Sequence, residues 1–221
     1  VFGKASEWGE YCNSKDNVCA QSGISYFSNA GTENIANNSE GMEFEPLVAD
    51  INNDGNNEII IFSNGDLIIY NHSLGLINKN NIGSLVGQPA IYNIDNDANL
   101  EIIFNANVSS ASYLMAYEYN NINNNFLKQC NVTISNGLTG AGIKCAGIGS
   151  SKSCFFKDQK NVFYNFNMSN NCKQAANLTT NNKDDTKPTV PSILDYDNDG
   201  KLEGLWWFNN DSDNFMGIAV V

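Results

Sequence analysis

The sequence predicts an all-β fold, a β-propeller of four-stranded antiparallel blades, and three observations predict it. Short apolar runs alternate with period two and are separated by Gly- and Asn-rich turns, a pattern that argues against helices. An acidic nonapeptide recurs between apolar runs at Asp50–Glu58 (DINNDGNNE), Asn93–Glu101 (NIDNDANLE) and Asp195–Glu203 (DYDNDGKLE). With a degenerate copy between the last two, the repeats begin at offsets of roughly 43, 54 and 48 residues, a period typical of propeller blades.

The N-terminal stretch, residues 1–45, reads as part of a fifth blade: EWGEYC and ISYFSN have strand character, and Cys12 and Cys19 flank a polar turn that suits a hairpin clasp. Four units follow over residues 46–221, at about 46–85, 86–135, 136–185 and 186–221. Each reads as apolar strand, loop, apolar strand, short turn and alternating strand. The entering strands are PLVA, PAIY and PSIL; the leaving ones are EIIIF, EIIF and EGLWWF. The third strands are DLIIYN, YLMAYEY, NVFYNFN and FMGIAVV, and a more polar fourth strand such as LINKNN (Leu76–Asn81) closes the first three units. The fourth unit ends at its third strand. The N-terminal part would complete the ring, or residues outside this chain would; the sequence leaves both open. Without an initiator Met or signal peptide, the chain reads as a mature product or a segment of something longer, and no apolar run is long enough to span a bilayer.

The nonapeptides carry the chemistry. Oxygen-bearing side chains stand at positions 1, 3, 5 and 9, and a tight loop with that spacing turns them toward one point, as a hard cation such as Ca²⁺ requires. Gly55 and Gly200 at position 6 supply a positive φ. The loops are not EF-hands, because position 12 is Ile61, Phe104 or Trp206 rather than Glu, and strands rather than helices flank them.

The third unit, Ile143–Asn167, has no ligands in its loop; Gly147 falls where Asp50 does. Cys145 and Cys154 bracket that loop, so a disulfide there would clamp the turn that an ion holds elsewhere. Cys130 and Cys172 lie in outer-strand regions bracketing the same unit. Six cysteines allow fifteen pairings, of which position favours these with Cys12–Cys19. No Cys/His spacing suggests zinc.

The net charge of −12 is largely ligand charge, since ten of the 24 acids lie in the three loops and three Ca²⁺ ions would bring it to −6. Such a chain is a poor fit to nucleic acid, which selects basic surface. Acceptor sequons stand at Asn37, Asn71, Asn107, Asn131, Asn167, Asn177 and Asn210, mostly at strand ends and turns.

On these residues, the units from about Glu45 to Val221 resemble FG-GAP/VCBS repeats, the calcium-loop blades of the integrin alpha-subunit propeller and of many microbial surface proteins. The resemblance rests on the D-x-[DN]-x-D-G-x-x-E loop between apolar strands. The second unit departs from it with Asn93 for the first acid and Ala98 for the glycine, and the family's Phe-Gly and Gly-Ala-Pro signatures are not clear. The resemblance implies two to three structural Ca²⁺ ions. Asp50, Asn52, Asp54 and Glu58 with the Asn56 carbonyl would hold one. Asn93, Asp95, Asp97 and Glu101 with the Asn99 carbonyl would hold a second, and Asp195, Asp197, Asp199 and Glu203 with the Lys201 carbonyl a third. It further implies an extracellular or cell-surface protein whose other loops bind another protein or copies of itself.

No catalytic constellation is expected. The single His72 sits at a turn, no nucleophile motif occurs, and the paired acids are spaced as metal ligands rather than as a glycosidase pair. The leading expectation is a calcium-stabilised module for adhesion or for surface or filament assembly. The alternatives are a lectin-like propeller that binds glycans and, behind it, a calcium-dependent polysaccharide-degrading enzyme. Trp206 and Trp207 would offer a lectin its stacking surface, although strand alternation puts them on opposite faces, so that at least one is expected in the core between blades, and core is favoured for both.

Overall fold

The computed structural model describes residues 44–95, 97–147, 152–169, 171–179, 190–210 and 215–221, without side chains for 207–210 and 215–219. These residues fall within one compact unit, Met42–Val221. The proposed N-terminal blade, Cys12, Cys19 and Asn37 lie outside the described residues.

The described chain is all-β, with no helix, and its strands form four antiparallel sheets. Sheet one runs β1 (Leu47–Ala49), β2 (Glu58–Ser63), β3 (Asp66–Tyr70) and β4 (Leu76–Asn81). Sheet two has five strands. Its inner strand is split into β5 (Ser84–Leu85) and β6 (Ala90–Tyr92), both pairing with β7 (Glu101–Val108), and β8 (Ala111–Asn120) and β9 (Asn125–Ile134) follow. Pro89 lies in the interruption and has no N–H to give a ladder. Sheet three is β10 (Lys144–Ala146), β11 (Ser153–Lys157), β12 (Val162–Asn167) and β13 (Lys173–Thr179). Sheet four is β14 (Ser192–Leu194), β15 (Glu203–Asn210) and β16 (Phe215–Val220).

The sheets pack face to face in chain order, and period-two alternation sends successive side chains of one strand into different cores. On β7, Ile102 and Phe104 pack against Ile60, Phe62, Leu67 and Ile69 of sheet one, while Ile103 turns to Phe156, Tyr164 and Phe166 of sheet three. On β11 and β12, Phe155 and Phe163 turn the other way and close on Trp206, with ring centroids 6.2 and 5.0 Å away. Gly204 makes room for that indole: a Cβ there would lie 2.5 Å from the Trp206 ring and 2.6 Å from Phe155. Trp206 is fully buried and offers no platform to a sugar. The short inner strands are also neighbours, with β6 beside β1 on one side and β10 on the other.

Sheets one to three share a further feature. The outer strand bulges opposite an aromatic residue, with Ile77, Gln129 and Ala175 as the extra residues beside Tyr70, Tyr117 and Phe166. A bulge inserts one residue and sharpens local twist. It falls at the same register position in all three sheets, one residue past the pairs Ala49–Glu58, Tyr92–Glu101 and Ala146–Ser153.

Among the described residues there are two disulfides. Cys130 on β9 joins Cys172 in the turn before β13, stapling sheet two to sheet three. Cys145 and Cys154 are direct cross-strand neighbours on β10 and β11.

Candidate metal centres

Strand register fixes the correspondence of the loops. Ala49 pairs Glu58, Tyr92 pairs Glu101 and Leu194 pairs Glu203, so each nonapeptide connects an inner strand to the next and ends on the paired Glu. In sheet three the corresponding pair is Ala146 and Ser153, which leaves a loop two residues shorter with Ser153 in the place of the Glu. Residues 148–151 of that loop are not described.

The first and fourth loops are built alike. Position 1 is an anchoring carboxylate: Asp50 accepts the N–H groups of Asp54 (3.1 Å) and Gly55 (2.9 Å), and Asp195 accepts those of Asp199 (3.1 Å) and Gly200 (3.0 Å). The curl needs left-handed backbone at positions 4 and 6, where Asn53 and Asn198 have φ of 56° and 60° and Gly55 and Gly200 have 87° and 84°. Asn at the first and Gly at the second tolerate that conformation. Asp54 accepts from Asn56 N, and Asp199 from Lys201 N and Nζ; these bonds hold both carboxyls below the usual carboxylate range.

The position-9 glutamate ties each loop to its sheet. One oxygen accepts the position-2 N–H in all three: Glu58 Oε2 from Ile51 (3.1 Å), Glu101 Oε2 from Ile94 (2.6 Å) and Glu203 Oε2 from Tyr196 (2.8 Å). The other oxygens of Glu58 and Glu101, Oε1, are buried with no hydrogen-bond partner. Burial, reinforced by Asp54 and Asp50, pushes the Glu58 carboxyl up. Burial, reinforced by Asp95, Asp97 and Glu118, pushes Glu101 up to about 7. A buried, bare carboxylate oxygen beside further acids is what a cation would satisfy, and desolvating such a charge without a partner costs several kcal/mol, ~5 or more. The donor set is all oxygen, and it therefore fits a hard divalent ion.

Among the described residues, carboxylate oxygens converge within 4.8 Å in two groups: Asp195, Asp197 and Asp199, and Asp95, Asp97 and Glu118. The first loop supplies an amide at position 3, Asn52, whose Nδ2 rests on Asp54 Oδ2 at 3.2 Å and whose Oδ1 accepts Asp54 N.

The second loop, described except at Asn96, differs. Its position-1 residue is an amide, and Asn93 Nδ2 donates to the Asp97 carbonyl (2.6 Å) and to the Asn99 carbonyl (3.1 Å), the backbone oxygen expected to ligate. Asn93 Oδ1 faces the Lys152 ammonium at 2.5 Å, and that ammonium also meets the Asp95 carbonyl. Lys152, almost fully buried, comes from the shortened loop of sheet three. Lys152 and Glu118 were not among the residues expected at this loop from the sequence. The signal for Glu118 was an acid inside the apolar run YLMAYEY; Lys152 gave none.

Of the proposed glycan acceptors, Asn107, Asn131 and Asn177 are exposed, and Asn71 and Asn167 are half-buried. Asn71 Oδ1 is committed to its own turn through Ser73 N and Gly75 N. Asn210 lies on β15 and its side chain is not described.

No protein-family model matches the chain, and no curated protein matches it.

Proposed function

We propose that the chain is a calcium-stapled β-propeller module of the FG-GAP/VCBS type, exported and non-catalytic, that serves adhesion or surface assembly through protein contacts. The observation that carries the calcium part is the bare, buried Oε1 of Glu58 and Glu101 at the same loop position, above acids that share the spacing. In the first loop Asp50, Asn52, Asp54, Glu58 and the Asn56 carbonyl would hold the ion; in the fourth, Asp195, Asp197, Asp199, Glu203 and the Lys201 carbonyl. An ion held by these residues would supply charge compensation to the buried carboxylates.

Face-to-face packing of sheets in chain order, with inner strands β1, β6 and β10 as neighbours, supports a propeller arrangement. Two disulfides suit an oxidising compartment outside the cytoplasm, where millimolar calcium would fill even weak sites. Among the described residues no helix is long and apolar enough to cross a membrane. With its loops stiffened by ions, such a module presents a fixed surface and needs no catalytic group.

The test is association measured with calcium and with EDTA, by sedimentation for self-assembly and by binding to protease-stripped and intact cells for adhesion. Calcium-dependent association lost on protease treatment supports protein contacts. Association that survives protease but is competed by one glycan class on an array replaces this reading with the lectin.

A further inference from the structure

The acid missing from position 1 of the second loop is replaced from outside the loop. We propose that Glu118, on β8, is a metal ligand, and that it joins Asp95, Asp97 and Glu101 in a displaced divalent-cation site; this rests on the calcium reading of the loops. Glu118 and Glu101 are direct cross-strand partners, so their side chains share a face at close range. Both are buried, at 8% and 0% exposure, and Glu101 Oε1 has no partner. Like charges placed directly opposite destabilise a sheet unless something positive lies between them. Asp95 and Asp97 bring their oxygens within 4.8 Å of Glu118. Of these four carboxylates the Lys152 ammonium, held at Asn93 Oδ1, offsets one charge.

Glu118 is also held as a ligand would be. Asn99 Nδ2 donates to its Oε1 at 2.7 Å, and Gln129 Nε2 donates to its Oε2. Gln129 is the bulge residue of sheet two, where sheets one and three carry Ile77 and Ala175. Hydrogen bonds of this kind orient ligating carboxylates while leaving lone pairs for a metal.

The internal repeat shows a compensating exchange. One step beyond the Ile59–Tyr70 pair of sheet one stands Asn71, and Asn167 pairs Ser153 in sheet three. Sheet two alone of these three has an acid at that place, and its loop has the amide at position 1. The acid and the amide have changed places across the site, and the ion moves with the acid, away from the side that Asn93 and Lys152 close.

Native mass spectrometry of the metal-stripped chain titrated with Ca²⁺ alone tests this, using Glu118→Gln, an isosteric change. The wild type is expected to take three ions, and Glu118→Gln and Asp97→Asn two each. Asp54→Asn and Asp199→Asn, probing the other loops, lose one ion each in either background, and their retained binding in Glu118→Gln reports that this variant is folded. Three ions in Glu118→Gln overturn the assignment. So does a wild type with two ions that Asp97→Asn leaves unchanged, which would mean that Lys152 is the only cation of this loop while the calcium reading stands. No bound ion in the wild type overturns the calcium reading itself.

Discussion

Glu58→Gln separates a metal ligand from a structural brace, because the two roles predict opposite signs in chelator. Glu58 accepts the Ile51 N–H at 3.1 Å through Oε2, while Oε1 is buried without a partner and burial raises the carboxyl's pKa. A glutamine keeps an oxygen for Ile51 and removes the buried charge, so in EDTA the variant should be as stable as the wild type or more so. With calcium the order reverses. An ion bound only by the folded state stabilises by about 2.7 kcal/mol when free calcium is about 100 times Kd. Loss of that term in a unit of this size lowers Tm by roughly 5–10 °C, at about 2–4 °C per kcal/mol. Calorimetry of both proteins in each condition reads the crossover. Equal destabilisation with and without calcium would refute the ligand role and leave Glu58 as a brace for Ile51 alone.

Three further outcomes are expected. Glu101 holds its proton up to about 7 when folded, against an ordinary 4.5, so the folded state binds more protons between these values. Its contribution in EDTA is therefore present below about 4.5 and lost as pH rises through about 7. Urea midpoints of wild type minus Glu101→Gln should fall across that window, and a rise would contradict the shift. Gly204→Ala drives a methyl into Trp206 and Phe155, which should cost about 1–3 kcal/mol in urea unfolding; an unchanged midpoint would mean that sheets three and four are not packed as described. Replacing Cys130 and Cys172 by serine opens a link spanning 42 residues and should cost about 2–4 kcal/mol without changing the calcium count. A lost ion would show instead that this staple shapes a loop.

The strands were legible because both periodicity and punctuation mark them. LINKNN, for one, is β4 residue for residue. The nonapeptides were legible because their chemistry is local: nine residues supply the anchor, the positive φ positions and the closing Glu. What was hidden depends on register between distant segments. Glu118 is recognisable as part of the second site only once β8 is laid against β7, and Lys152 only once sheet three is packed on sheet two. The split inner strand of sheet two was hidden as well, since PAIY reads as one entering strand and nothing in SLVGQ marks a second pairing with β7. Asn93 was legible as a departure, but not its consequence, in which one amide caps the carbonyls and accepts a lysine.

Anomalous diffraction from crystals grown with millimolar calcium decides whether the first and fourth loops hold an ion. A peak is expected in the first loop within about 2.3–2.6 Å of oxygens from Asp50, Asp54 and Glu58, with a matching peak beside Asp195, Asp199 and Glu203. A featureless map at both loops, with their carboxylates turned to solvent, would contradict the calcium reading.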